Sequence, residues 1–368
     1  MLNKEKLLFL CVWTKNKKQS WSGTPIHLMN SLTKYFDIID VNVSLNLFEK
    51  ILGKLFSYRI EKFKIVKIDW ISNSYYTNKL KKKAKKAIEN FTGNYVLEIG
   101  DFYATKKKYI FSYQDLNFLK LKDIFLNDPT LFPYTGYQAR ECDLIKREQH
   151  ALDFYENATA CFFMGNWICE YTSKKINTPC IYVGAGANVI SDNFIPKKRN
   201  YSYLFIGRDF ERKNGGLVVE AFAKIKKLHT NATLNICGPK KLEKKYKIEG
   251  VNFHGDLSYD KLKNLFIKSD VFVMPSRFEA FGLVFVESMI SGTPIIASKA
   301  YEMRYFVEHG KNGYLLNSQS VEELADLMEK IMNNDYIFSQ VSIEKEFVKK
   351  KYSWDKVAET IYNEIKKY

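Results

Sequence analysis

A chain of 368 residues is too long for one ordinary hydrophobic core and suits two domains. Its 46% hydrophobic content, with 15% aromatics, excludes wholesale disorder, and a net charge of +16 directs attention to anionic partners such as phosphates, lipid headgroups or nucleic acid. Six cysteines without a CxxC pair and five scattered histidines without an HxxxH argue against a zinc site and for reduced thiols in a cytoplasmic protein.

The first apolar run, LLFLCVW from Leu7 to Trp13, is too short to span a bilayer and lacks a small-residue cleavage site, so it reads as a buried strand. A loop from Thr14 to Gly23 follows. Thr24 and Pro25 are then expected to cap a helix that turns Ile26, Leu28, Met29, Leu32 and Tyr35 inward. The densest cationic run extends from Asn78 to Ile88. With Leu80, Ala84, Ala87 and Ile88 at helical spacing, it predicts an amphipathic helix whose exposed face carries Lys79, Lys81, Lys82, Lys83, Lys85 and Lys86. Such a face is either simply solvated or drawn to anionic headgroups, at roughly 1 kcal/mol per lysine near a charged surface. No helix-turn-helix, RRM or zinc-finger pattern accompanies it, so a nucleic-acid partner is not expected.

YVLEIGDF and KYIFSYQD read as further buried strands, Tyr137 to Tyr155 as a long helix, and ACFFMG and PCIYVGAG as strands again. The polar stretch from Asn188 to Asn200, with Pro196 and a basic cluster, reads as a linker. After it the pattern restarts: strand YLFIG, helix GLVVEAFAKIKKL, strands TLNICG and VNFHG, helix YDKLKNLFIKS, strand VFVMP, a helix, and strand PIIAS. Repeated βα units with short apolar strands predict an α/β protein with a doubly wound parallel sheet in each half. Ligands of such sheets bind outside the carboxyl ends of the strands, in the cleft that two facing domains would form.

Two groups of residues fall at those strand ends in the second half. FIGRDFERKNGG puts Arg208 just past a strand and Lys213 on the loop into the next helix, two cations suited together to a phosphate or diphosphate, though either alone would pass as an ordinary surface charge. In PSRFEAFGLVFVESMISGTP the strand ends at Met274–Pro275 and a helix begins near Phe281–Gly282, with its first amides pointing back to an anion site and Gly282 permitting close approach to the backbone. Glu279 precedes that helix. Glu287 lies in its second turn on the face of Leu283 and Val284, where burial is costly without a hydrogen-bonding partner. Ribose hydroxyls would supply one; an ion pair with Arg208 or Lys213 that merely stiffens the domain is the alternative.

The E-x7-E pair Glu279/Glu287, preceded by FIGRDFERKNG and followed by VEHGKNGYLL, resembles the donor domain of the retaining glycosyltransferases of family 4, which have the GT-B architecture: two doubly wound Rossmann-like domains facing across a cleft. SWSGTP (Ser20 to Pro25), FSYQDLNF, GAGANV and YSWDKVAETIY resemble segments of the same family less sharply. The resemblance implies an acceptor-binding domain over residues 1–190, a nucleotide-sugar domain over 191–352, and a final helix, 353–368, crossing back to the first domain. It also implies roles. Arg208 and Lys213 would hold the donor diphosphate and stabilise the leaving nucleotide, Glu287 would take the ribose and Glu279 would face the sugar. The backbone of Ala280, Phe281, Gly282 and Leu283 would meet phosphates or sugar, and Gly23 would let the first-domain loop approach the donor. The family needs no metal or cofactor, and no DxD-like motif is placed to hold one. Many relatives carry a histidine where this chain has Gln114–Asp115, so Asp115 is the acceptor-side candidate. The implied reaction is metal-independent transfer, with retention, of a hexosyl group from a UDP- or GDP-sugar to a hydroxyl. The acceptor would be a lipid-linked surface glycan at the inner face of the cell membrane. A soluble acceptor, a sugar-nucleotide epimerase and a non-catalytic nucleotide-sugar-binding subunit are the alternatives.

Overall fold

The structure, a computed structural model, describes residues 4–61, 64–67, 69–188 and 199–368. The chain divides into two compact units, one built from Met1–Gly186 with Trp354–Tyr368, the other from Ala187–Ser353. Most of the expected linker, residues 189–198, lies outside the described residues.

The first unit contains strands β1 (Lys6–Cys11), β2 (Asp37–Asn42), β3 (Tyr58–Glu61), β4 (Lys64–Lys67), β5 (Tyr95–Glu98), β6 (Tyr109–Gln114), β7 (Ala160–Phe163) and β8 (Cys180–Tyr182). Its helices are α1 (Thr24–Leu32), α2 (Leu47–Leu55), α3 (Ser74–Asn90), α4 (Phe118–Asn127), α5 (Glu141–Asn157) and α6 (Asn166–Ser173). Strands β3 and β4 pair as an antiparallel ribbon; the others form a sheet in the order β2-β1-β5-β6-β7-β8, parallel at every pairing. Burial on both faces explains the unbroken apolar strand sequences: Leu7, Leu8, Phe9 and Leu10 are all inside.

The second unit repeats the plan with β9 (Ser202–Ile206), β10 (Thr233–Cys237), β11 (Val251–Gly255), β12 (Val271–Met274), β13 (Ile295–Ser298) and β14 (Gly313–Leu316), ordered β11-β10-β9-β12-β13-β14 and again parallel. Its helices are α7 (Gly215–Leu228), α8 (Tyr259–Lys268), α9 (Leu283–Ile290), α10 (Met303–Phe306), α11 (Val321–Met332) and α12 (Asp335–Lys351). In each sheet the chain starts at an inner strand, winds outward one way, then crosses over and winds the other way. The reversal lies between β1 and β5 in the first sheet and between β9 and β12 in the second, which fixes where each sheet opens for a ligand.

Helix α13 (Trp354–Ile365) belongs to the first unit and packs on α1: Ser31 donates to Asp355 at 2.9 Å, and Tyr362 stacks on Tyr35 with ring centroids 4.7 Å apart. The start of α1 differs from the sequence expectation. Its cap is Gly23 at φ 85°, not Thr24, because the chain enters through left-handed Trp21 and Ser22 and Thr24 is already helical. Ile26 and Met29 are only half-buried, and Tyr35 falls beyond the helix end.

The lysine-rich segment forms α3, longer than predicted, with Asn73 as its cap and Tyr76, Thr77, Leu80, Ala84 and Ile88 inward. Its lysine face is not simply solvated. Lys79 and Lys83 reach Glu49 of α2 at 3.5 and 2.7 Å, Lys81 pairs with Asp153 at 2.8 Å, and Lys85 with Glu89 at 3.8 Å. Among the described residues no helix is long and apolar enough to cross a membrane.

Candidate active site

In the second unit, the reversal between β9 and β12 brings together two loops that lie far apart in the chain. The loop after β9 carries Arg208, Arg212 and Lys213; the loop after β12 carries Arg277 to Gly282. A backbone hydrogen bond from Arg277 N–H to the Arg212 carbonyl, 2.9 Å, ties one to the other. Lys213 is buried, and its stem crosses Gly207, where a Cβ would lie 2.7 Å from Lys213 Cγ; glycine at the strand end makes room for the lysine. Lys213 Nζ donates to Glu279 Oε2 at 2.5 Å. Arg212 donates to the same oxygen at 3.4 Å and to the Phe278 carbonyl at 3.0 Å.

Two cations thus bracket one buried carboxylate, and Arg212 also pairs with the exposed Asp209 at 3.4 Å, so the charges of these four side chains balance. Burial alone would push Glu279 up, but Lys213 and Arg212 outweigh it and hold the carboxyl below its usual range. Burial, with Arg212 beside it, holds Lys213 below the usual lysine range although Glu279 and Asp209 oppose the shift. A bound anion would compete with Asp209 and Glu279 for these two cations.

Helix α9 begins at this point. Gly282, its cap at φ 94°, has no Cβ that would meet the Phe285 ring at 2.7 Å and Glu279 Cγ at 2.9 Å, and no side chain caps the helix start. The backbone of Ala280 to Leu283 therefore stands beside the Arg212–Lys213–Glu279 cluster, while the Phe281 side chain is buried against Phe306, centroids 5.2 Å apart.

Arg208 behaves differently from Lys213. It is exposed and pairs with Asp256 at 3.2 Å. Burial, then the Glu287 carboxylate, pushes the nearby Tyr259 phenol up, with Arg208 opposing and Asp256 adding to it, so these four side chains form one electrostatic neighbourhood. Glu287 is buried in the second turn of α9, as expected from its spacing. An ion pair of Glu287 with Arg208 or Lys213 is the alternative expected from sequence; the structure pairs Lys213 with Glu279. The reason is position: Glu279 precedes the helix and reaches the β9 loop.

The first unit has its own opening. A cavity of about 210 Å³ at the carboxyl ends of β5 and β6 is lined by Asp101, Gln114, Asp115, Tyr137, Arg147 and His150 among others, with Trp21, two residues before Gly23, at its edge. Its wall is built by Glu98, whose Oε2 accepts from Phe102 N–H at 2.6 Å and Tyr103 N–H at 3.2 Å and so folds the loop that presents Asp101. His150 Nε2 donates to the Asp101 carbonyl at 2.7 Å, and burial holds this imidazole below its usual range. Arg147 lies over the Phe118 ring at 4.0 Å and donates to Thr77 Oγ1 at 2.6 Å. Gln114 Oε1 accepts from Tyr155 at 2.8 Å, which leaves its Nε2, like Arg147 Nε, buried without a partner among the described residues. Unpaired buried donors cost about 1–3 kcal/mol each, a cost that a ligand or water hydrogen-bonded to them would offset.

Sequence reasoning singled out Arg208, Lys213, Glu279, the backbone of Ala280, Phe281, Gly282 and Leu283, and Glu287 in the second unit, and Gly23 and Asp115 in the first. It missed Arg212, which stood in the quoted motif but could not be told from its neighbours without the fold. It also missed Asp256, Tyr259, Asp101, Arg147 and His150, whose spacing carries no motif.

Residues 189–354 match the family model described as Glycosyl transferases group 1. An uncharacterized glycosyltransferase of Methanocaldococcus jannaschii is 31% identical over 173 residues, 44% of this chain and 44% of that protein. The phosphatidyl-myo-inositol mannosyltransferase of Mycobacterium leprae is 25% identical over 204 residues, 52% of this chain and 54% of its own length. The chain thus spans about half the length of the curated relatives it matches. Among solved structures, sucrose-phosphate synthase from Thermosynechococcus elongatus superposes with a TM-score of 0.71 at 14% identity, covering 99% of both chains. The fold is α/β of the GT-B glycosyltransferase type.

Proposed function

We propose that this chain is a glycosyltransferase that moves a hexosyl group from a nucleotide diphosphate sugar, with UDP or GDP as the nucleotide, to a hydroxyl acceptor. The observation that carries the reading is the Arg212–Lys213–Glu279 cluster at the reversal of the second sheet, beside the uncapped start of α9. Lys213, Arg212 and the helix amides are suited to a donor diphosphate and to the charge that grows on it as the sugar leaves. Glu287 is assigned to the ribose hydroxyls and Glu279 to the lysine and the sugar. Retention of anomeric configuration and family 4 membership rest on the sequence resemblance, as does attack by the acceptor on the donor face from which the phosphate leaves, with the phosphate taking the proton.

The acceptor is assigned to the first-unit cavity, where Asp115, Gln114 and His150 offer polar atoms to a glycan hydroxyl. A lipid-linked surface glycan is the proposed class, supported by the phosphatidylinositol acceptor named for the mycobacterial relative and by the basic face of α3, which would rest on the inner leaflet of the membrane.

A thermal-shift panel of UDP, GDP, ADP and their sugars tests the donor assignment. A nucleotide at a hundred times its Kd stabilises by about 2.7 kcal/mol, so one base should stand out, and no shift with any member would refute the site. Arg208→Ala should lower turnover by roughly tenfold, less than a change at Lys213, because an exposed pair with Asp256 is screened by solvent. The reading assigns no divalent ion to the diphosphate, so turnover should persist in excess EDTA; loss that is restored by Mg²⁺ or Mn²⁺ would show that protein cations do not suffice.

A further inference from the structure

We infer that the outward face of α2 is an insertion surface for a bilayer rich in anionic lipid. Leu47, Phe48, Ile51 and Leu55 are 76%, 68%, 50% and 61% exposed, with Phe56 and Tyr58 continuing the patch at 51% and 52%. Their spacing puts the four helical residues on one stripe, yet an amphipathic helix of a globular protein turns that stripe to its core. Here the orientation is reversed: the buried side is Gly53, whose carbonyl accepts from Ser57 Oγ at 2.9 Å and Asn73 Nδ2 at 3.4 Å. The helix is firmly started, since Asn46 and Glu49 form a reciprocal capping box at 2.8 and 3.0 Å. A stable helix that holds its apolar stripe in water needs something to cover it.

The charges beside the stripe identify the cover. The only acid of α2, Glu49, is clasped by Lys79 and Lys83. On α3, Lys82 and Lys86 share the face of those two lysines and are exposed, and Lys54 is exposed on α2 itself. Large apolar side chains rimmed by lysines match a helix that lies in the headgroup boundary, its apolar face about 5–10 Å deep and its cations at lipid phosphates. A second copy of this chain fits worse, because a self-complementary contact would set the lysine rims against each other. Tyr76, Thr77 and Leu80 of α3 line the first-unit cavity. Docking through α2 would hold α3, the helix that contributes to that cavity, at the lipid surface. The inference deepens the lipid-linked acceptor reading and rests on it for its purpose, while docking itself is measurable without acceptor.

The test is co-sedimentation of the full chain with vesicles of phosphatidylcholine and phosphatidylglycerol. The parent should bind these at least tenfold more tightly than pure phosphatidylcholine vesicles. The double variant Phe48→Ser/Ile51→Ser should bind at least tenfold more weakly than the parent, and Lys54→Gln, Lys82→Gln and Lys86→Gln about fivefold more weakly each at low salt. All should keep the parental Tm and nucleotide-induced shift. Vesicle binding by Phe48→Ser/Ile51→Ser equal to the parent's would overturn the inference, as would a parent that ignores anionic vesicles. So would a dimer in light scattering that the same double variant dissociates, which would show that a second copy covers the stripe. In each of these outcomes an intact nucleotide shift leaves the donor assignment standing, and a lost shift with intact vesicle binding does the reverse.

Discussion

Lys213→Ala is expected to lower turnover by about 10²–10³-fold, the range for removing a buried charge-stabilising group from a reacting centre. The same change should lower Tm, because it leaves Glu279 buried with Arg212, 3.4 Å away, as the cation still engaged with it. Breaking a buried pair outright costs about 3–5 kcal/mol; the surviving Arg212 contact should keep the loss below that, and the Tm shift to several degrees. The pH dependence separates the two effects. Since the Glu279 carboxyl is held below its ordinary range by Lys213 and Arg212, pairing stabilises the parent above about pH 4.3, the unfolded carboxyl value, and the contribution fades as pH falls through the depressed folded value. Melting temperature against pH should therefore fall less steeply on the acid side in Lys213→Ala. Turnover within threefold of the parent in the folded variant would remove Lys213 from the chemistry.

The second large effect distinguishes the two glutamates. Glu279→Gln takes the carboxylate from between two cations, so nucleotide affinity should hold or tighten while turnover falls by about a hundredfold. Glu287→Gln keeps shape but loses a charged hydrogen-bonding partner worth about 1.5–3 kcal/mol, a loss of roughly ten- to a hundredfold in affinity for both nucleotide and donor. Turnover at saturating donor should stay near the parent's, because ribose is held alike in ground and transition states. Calorimetric titration with the nucleotide, beside saturating turnover and Tm, reads all three quantities. If both variants lose only Tm and the folded fraction keeps full activity, the E-x7-E pair is scaffolding. The observed contacts move that alternative from Glu287, where spacing had put it, to Glu279, which is the acid engaged with Lys213.

The amino-acid sequence by itself determined the alternation of buried strands and helices, because a parallel sheet covered on both faces demands unbroken apolar runs such as Leu7–Leu10 and Val271–Met274. It also marked the strand ends that carry Arg208, Lys213 and Glu279, and the helix that carries Glu287, since glycines and charges interrupt the apolar pattern there. Tertiary structure alone decided which of these meet. Lys213 and Glu279 are 66 residues apart and become partners only because the sheet reverses between β9 and β12, a topology with no local sequence signal. The same holds for Gln114 and Arg147, whose unpaired donors emerge only when Tyr155 and Thr77 have taken their other atoms. For α2, local pattern yields an amphipathic helix but not the direction of its stripe. Packing decided it: the Gly53 side is buried, its carbonyl held by Ser57 and Asn73, which left Phe48 and Ile51 facing out.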